Sequence, residues 1–159
     1  METERTSLVY EDREKLFGQG PWLEEPDRVE WRLTGGLVGL LRRNQFGVWC
    51  GYVGVPPGHP WHGKSYDEVE ADVHGGLTYS KHCNAHICHV PEPGEPEHLF
   101  WLGFDCGHAG DESPGIRQTL CQVGGASEGL LCGSDVYRDL EYARAEVQRL
   151  AEQALDCCS

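Results

Sequence analysis

Between residues 28 and 53 apolar side chains recur at two-residue intervals, and two turn-forming breaks divide the run into three. A chain written that way is committed to an antiparallel meander. Val29, Trp31 and Leu33 alternate with Glu30, Arg32 and Thr34, the period of a strand with one buried face. Gly35-Gly36 turns the chain into a second strand over 37–42, and Asn44-Gln45 into a third. There Phe46, Val48, Cys50 and Tyr52 alternate with Gly47, Trp49, Gly51 and Val53.

The rest of the chain adds two more strands and a helix. Val73, Gly75, Leu77 and Tyr79 alternate with His74, Gly76, Thr78 and Ser80, which predicts a strand carrying His74 and Thr78 on one face. Residues 99–104 form a continuous apolar run and predict a buried strand. After Asp135, read as an N-cap, Leu140, Ala143, Val147, Leu150 and Ala154 follow the spacing of one helical face, which predicts a helix docked on the sheet. With 21 glycines and 9 prolines in 159 residues, long turns dominate the connections. The loop over 55–63 holds three prolines and two glycines, and 111–133 reads as a glycine-rich flap. Residues 1–27, acidic and proline-punctuated, read as a loosely attached arm, and 28–159 as a single α+β domain with a C-terminal amphipathic helix.

Charge narrows the function. Asp and Glu outnumber Lys and Arg by 26 to 13, a formal charge of −13, so general nucleic-acid binding is disfavoured because it rests on cationic neutralisation of phosphates. A basic protein surface or a small-molecule ligand remains compatible. No apolar leader opens the sequence and no run is long enough to span a bilayer. The expected location is therefore cytoplasmic, away from the membrane. The eight cysteines are accordingly expected as thiols or metal ligands rather than a disulfide framework.

Chemistry concentrates where the 99–104 strand ends. Asp105, His108 and Asp111 follow it at three-residue intervals among Gly107 and Gly110, and a rigid strand holds such side chains in place. Joined by His74, they form a donor set for zinc or another divalent metal, which would activate water for attack on an ester or phosphoester. On this reading His74, Asp105, His108 and Asp111 are ligands or general base. The competing reading has the two aspartates capping turns. His59 and His62, in the proline-rich loop beside Trp61, together with Thr78, are candidate ligand-binding residues.

Residues 82–89 hold two cysteines and three histidines. Cys83 and Cys88 with Cys106 and His108 would make a closed structural zinc site, an alternative that competes for His108. A bland loop with reduced thiols is equally consistent with the spacing. Cys50, or Cys106, activated by His74 with Asp105 orienting the ring, is a third option, set against the inertness expected of a buried thiol.

The stretches Gly51-Tyr52-Val53-Gly54-Val55-Pro56, Gly58-His59-Pro60, 73–80 and 103–111, with Tyr137-Arg138-Asp139-Leu140, resemble a small family of proteins encoded by bacteria and bacteriophages, over roughly residues 46–155. The resemblance implies a common architecture and a phage-associated context. Two functions are then expected. One is a small metal-binding protein with a hydrolase-like site. The other is a non-enzymatic counter-defence or host-interaction protein that binds a small ligand or a protein, any zinc being structural.

Overall fold

The computed structural model describes residues 4–84, 87–124 and 135–158. Six strands make one antiparallel sheet: β1 (Glu4–Ser7), β2 (Arg28–Arg32), β3 (Val38–Arg43), β4 (Trp49–Val55), β5 (Tyr79–His82) and β6 (Phe100–Asp105). Their spatial order is β1-β2-β3-β4-β6-β5. Among the described residues three α-helices accompany them, α1 (Arg13–Phe17), α2 (Pro114–Gly124) and α3 (Leu140–Asp156). The protein is thus α+β, with the expected meander at its centre, Arg28 opposite Arg42 and Val38 opposite Gly54.

Alternation sorts the strands onto two cores. On one face Val29, Leu41, Val53, Leu102 and Phe104 pack against Ala143, Val147, Leu150, Ala151 and Ala154 of α3, the helical stripe that the spacing predicts. Fully burying each larger apolar side chain is worth about 1.5–3 kcal/mol, enough to dock a four-turn helix. Gly51 makes the approach close, because a Cβ there would lie 2.5 Å from Phe104 and 2.8 Å from Val147. The helix begins later than expected: Asp139, not Asp135, is the N-cap, its side chain accepting from the Tyr142 N–H. On the other face Val38, Leu40, Tyr52, Leu99 and Trp101 form a second core, with Tyr79 and Ile87 against it.

Two elements correct the sequence reading. Residues 4–27 are packed onto the sheet rather than loosely attached: β1 adds an edge strand to β2, and Phe17 and Trp22 are buried. Asp27 is fully buried, its carboxylate accepting from the Arg43 Nε at 3.1 Å. Arg43, also sequestered from solvent, reaches Glu25 and the Tyr137 hydroxyl as well. Glu25 in turn accepts from Leu140 N, at the start of α3. An ion pair leaves no trace in an apolar pattern, and it is what ties this segment down.

Residues 73–78 are not strand. Gly75 and Gly76 both take positive φ, +69° and +80°, and fold the chain into a turn before β5 begins at Tyr79. Within the stretch read as a flap, 114–124 is helix α2; 125–133 lies outside the described residues, as does His86.

Candidate functional site

The turn at 73–78 runs past the end of β6, and Thr78 N donates to Gly103 O at 2.8 Å. Beyond that point β5 no longer flanks β6, and the polar side chains of both segments meet. Asp105 closes β6; the chain then turns through His108 to Asp111, whose N–H donates back to His108 O at 2.9 Å. Helix α3 closes the group with Tyr142 and Glu146, one turn apart.

The four predicted residues share this neighbourhood as two pairs. His74 Nε2 lies 2.6 Å from Asp111 Oδ2 and His74 Nδ1 2.7 Å from the Tyr142 hydroxyl. The His74 N–H donates to Glu146 Oε1 at 2.7 Å. Asp111, its side chain 1% exposed, also accepts from Arg138 Nε at 2.8 Å and from His108 N at 3.0 Å. Burial alone would push its carboxyl up, but the hydrogen bonds from Arg138, His74 and His108 outweigh it and hold the group below its ordinary value. An ionised Asp111 only accepts. In the neutral ring Nε2–H therefore donates to it, and Nδ1 accepts from Tyr142, whose phenol is raised, first by burial and then by Glu146. His74 is fixed on three sides.

The second pair is looser. His108 Nε2 stands 3.4 Å from Asp105 Oδ1. That ring nitrogen is buried and has no hydrogen-bond partner among the described residues. Asp105 accepts from Gly107 N at 2.9 Å and from Thr78 Oγ1 at 3.3 Å. The imidazole lies over Gly75, where a Cβ would come within 2.1 Å of Nε2; only glycine leaves it that room. The rings of His74 and His108 are 5.9 Å apart, centre to centre. No three His, Cys, Asp or Glu side chains converge on one cation-sized point among the described residues.

Other sequence candidates lie elsewhere. His59 is a staple, its Nε2 2.8 Å from Ala154 O in α3 and its Nδ1 accepting from Trp61 N. His62 bonds His98 O at 3.0 Å and packs on Phe100. Thr78 alone of the three expected ligand-binding residues contacts the cluster. The closed zinc site is corrected: Cys83 and Cys88 are joined in a disulfide and offer no thiolates. The nucleophile reading of Cys50 fares no better, since burial pushes its thiol up to about 12, and Cys106 is raised by the same cause.

Sequence reasoning missed Tyr142, Glu146 and Arg138. A signal existed: Tyr142 and Glu146, four residues apart, directly precede the apolar positions Ala143 and Val147 on the helix. Glu146 is indeed buried. Arg138 stacks over Tyr142, its guanidinium carbon 4.9 Å from the ring centre. Comparison with protein-family models, curated proteins and solved structures finds no match to the chain.

Proposed function

We propose that the strand-end cluster is a hydrolytic site acting on a small ester or phosphoester, with zinc or another divalent cation held between Asp105 and His108. One observation carries this reading. The buried His108 Nε2 lacks a partner, an arrangement costing about 1–3 kcal/mol, and faces a carboxylate oxygen 3.4 Å away. Zinc bonds of about 2.0–2.1 Å in a tetrahedral arrangement separate neighbouring donors by roughly 3.3–3.4 Å, which fits that pair. Other positions on the cation go to water and substrate. When bound, the cation would lower the pKa of a coordinated water towards neutrality.

The chain's own groups supply the remainder. Asp105 is fixed for its place on the cation by Gly107 N on Oδ1 and by Thr78 Oγ1 on Oδ2. His74 and Asp111 do not serve as ligands in this reading; each is saturated by neighbours and positions the turn that carries His108. Arg138 spends Nε on Asp111, and its terminal amino groups have no hydrogen-bond partner among the described residues. They are placed to hold an anionic oxygen of the substrate.

The test is hydrolysis of p-nitrophenyl acetate, p-nitrophenyl phosphate and bis(p-nitrophenyl) phosphate with and without added zinc. Zinc-dependent turnover is expected on one of these classes. His108→Ala and Asp105→Asn should each lower it about 100-fold or more, while Arg138→Gln raises KM for the phosphoesters. Wild-type turnover no greater than that of His108→Ala on all three substrates would refute the assignment.

A second reading, the non-enzymatic interaction protein suggested by the phage-like motifs, draws on a different surface. Leu16, Phe46, Ile116 and Leu120, each 43–47% exposed, line an apolar cleft of about 280 Å³ between α1, α2 and the turn after β3.

A further inference from the structure

On the opposite face from α3, a cleft of about 780 Å³ opens between β1, β2, Cys83 and residues 88–92. Both cysteines of the Cys83–Cys88 disulfide line it, with His89 and with Arg5 and Arg28, which are ion-paired to Glu30 and Glu92 of the same wall. Cys83 is exposed and Cys88 half-buried. The bond spans five residues of one segment, flanking an isolated bridge between Asn84 and Ile87. A loop that short gains least from being closed, so the disulfide is poorly explained as a staple.

Its position is better explained by the segment that leads away from it. Residues 87–97 cover the second core: Ile87 packs against that cluster, and the His89 ring meets Trp101 edge-on at 5.9 Å. Polar ties hold this cover. Arg28 donates to Cys88 O at 2.7 Å, His89 Nε2 lies 2.8 Å from Pro96 O, and Arg5 pairs with Glu95 at 3.2 Å. Yet two buried atoms beneath it, His89 Nδ1 and Trp101 Nε1, lack hydrogen-bond partners among the described residues. Buried polar groups are seldom left so. The cover is held down imperfectly, and the disulfide stands at its start.

We propose that Cys83–Cys88 is a thiol-exchange site for a small thiol, and that its reduction loosens the cover over Trp101. The incoming thiolate attacks the exposed Cys83 sulfur, forming a mixed disulfide, and the Cys83–Cys88 bond breaks with its electron pair leaving on Cys88. The Arg28 guanidinium, bonded to the Cys88 carbonyl and on the same cleft wall, would favour the leaving thiolate. A second thiol displaces Cys83 in the same manner. Two thiols are oxidised to one small-molecule disulfide, and the protein gains two electrons and, from the thiols or solvent, two protons.

The site is independent of the hydrolytic cluster, and its test does not use hydrolysis. The oxidised full chain is incubated with reduced glutathione, or with 2-mercaptoethanol at matched thiolate concentration, then quenched by alkylation and mapped by mass spectrometry. Cys83 and Cys88 should become alkylated or glutathionylated while Cys50 and Cys106 stay protected. Exchange should proceed with both thiols and rise with thiolate concentration. Tryptophan emission should shift in step with reduction in the wild type and not in Trp101→Phe. The proposal fails if Cys83 and Cys88 are found as free thiols before treatment, if they resist both thiols in the native state, or if exchange leaves the tryptophan emission of the chain unchanged. All three outcomes are read on the wild-type chain, so they do not depend on any variant folding.

Discussion

Gly75 is the residue on which the geometry of the site turns. Its φ of +69° disfavours any side chain, and the 2.1 Å approach of a Cβ to His108 Nε2 forbids one. Gly75→Ala should therefore cost about 2–3 kcal/mol in chemical denaturation and displace the imidazole, abolishing turnover with it. Asp111 has a pH signature of its own. Its carboxyl is held below the ordinary value, so its stabilisation is present above the unfolded pKa of about 3.9 and is lost as pH falls through the lower folded value. Asp111→Asn should cost about 3 kcal/mol at pH 7, with the gap to wild type closing as pH falls from about 5 towards 2. A gap independent of pH would contradict the charged, multiply bonded role given to Asp111.

At the scale of elements, what could be read in advance was what burial writes into the sequence. Strands β2, β3, β4 and β6 and helix α3 each bury one face or both, and the spacing of Val29 and Trp31, or of Val147, Leu150 and Ala154, records it. The same rule misled at 73–79. Alternation there ran through Gly75, which has no side chain to report burial, and a turn took the place of a strand. Helix α2 escaped notice because its apolar residues Ile116 and Leu120 stay exposed, so no core shaped their spacing. Of the site, Asp105, His108 and Asp111 were legible from their place after an apolar strand. Their division into a saturated pair and an open one was not, because it depends on Tyr142, Arg138 and Glu146 arriving with α3 and the stretch before it. Docking of that helix is tested by Leu150→Ala, which removes a fully buried side chain and should cost about 2–5 kcal/mol. Native-state alkylation gives a second check on packing. Cys157 and Cys158, exposed at the end of α3, should react with iodoacetamide at pH 8 well before Cys50 and Cys106, whose thiols burial has raised.

For the molecule as a whole, the segment before β2 is part of the body. Asp27 and Arg43 are both fully buried, and removing one partner from such a pair strands a charge at a cost of about 3–5 kcal/mol. Deleting residues 1–27 should abolish the cooperative thermal transition, and Asp27→Asn should lower stability by several kcal/mol. Full stability in the truncated chain would restore the picture of a detachable arm. Through Glu25, Tyr137 and Leu140 this buried network also fixes the start of α3 and the stretch that carries Arg138, so the N-terminal segment supports the site without touching it. The site itself rests on a single relation, an imidazole nitrogen and a carboxylate oxygen held apart at a cation's span. Anomalous diffraction at the zinc edge from crystals grown with zinc measures that relation directly. The account predicts one peak about 2.0–2.2 Å from both His108 Nε2 and Asp105 Oδ1; density showing the two groups hydrogen-bonded to each other, with zinc absent or bound elsewhere, would contradict it.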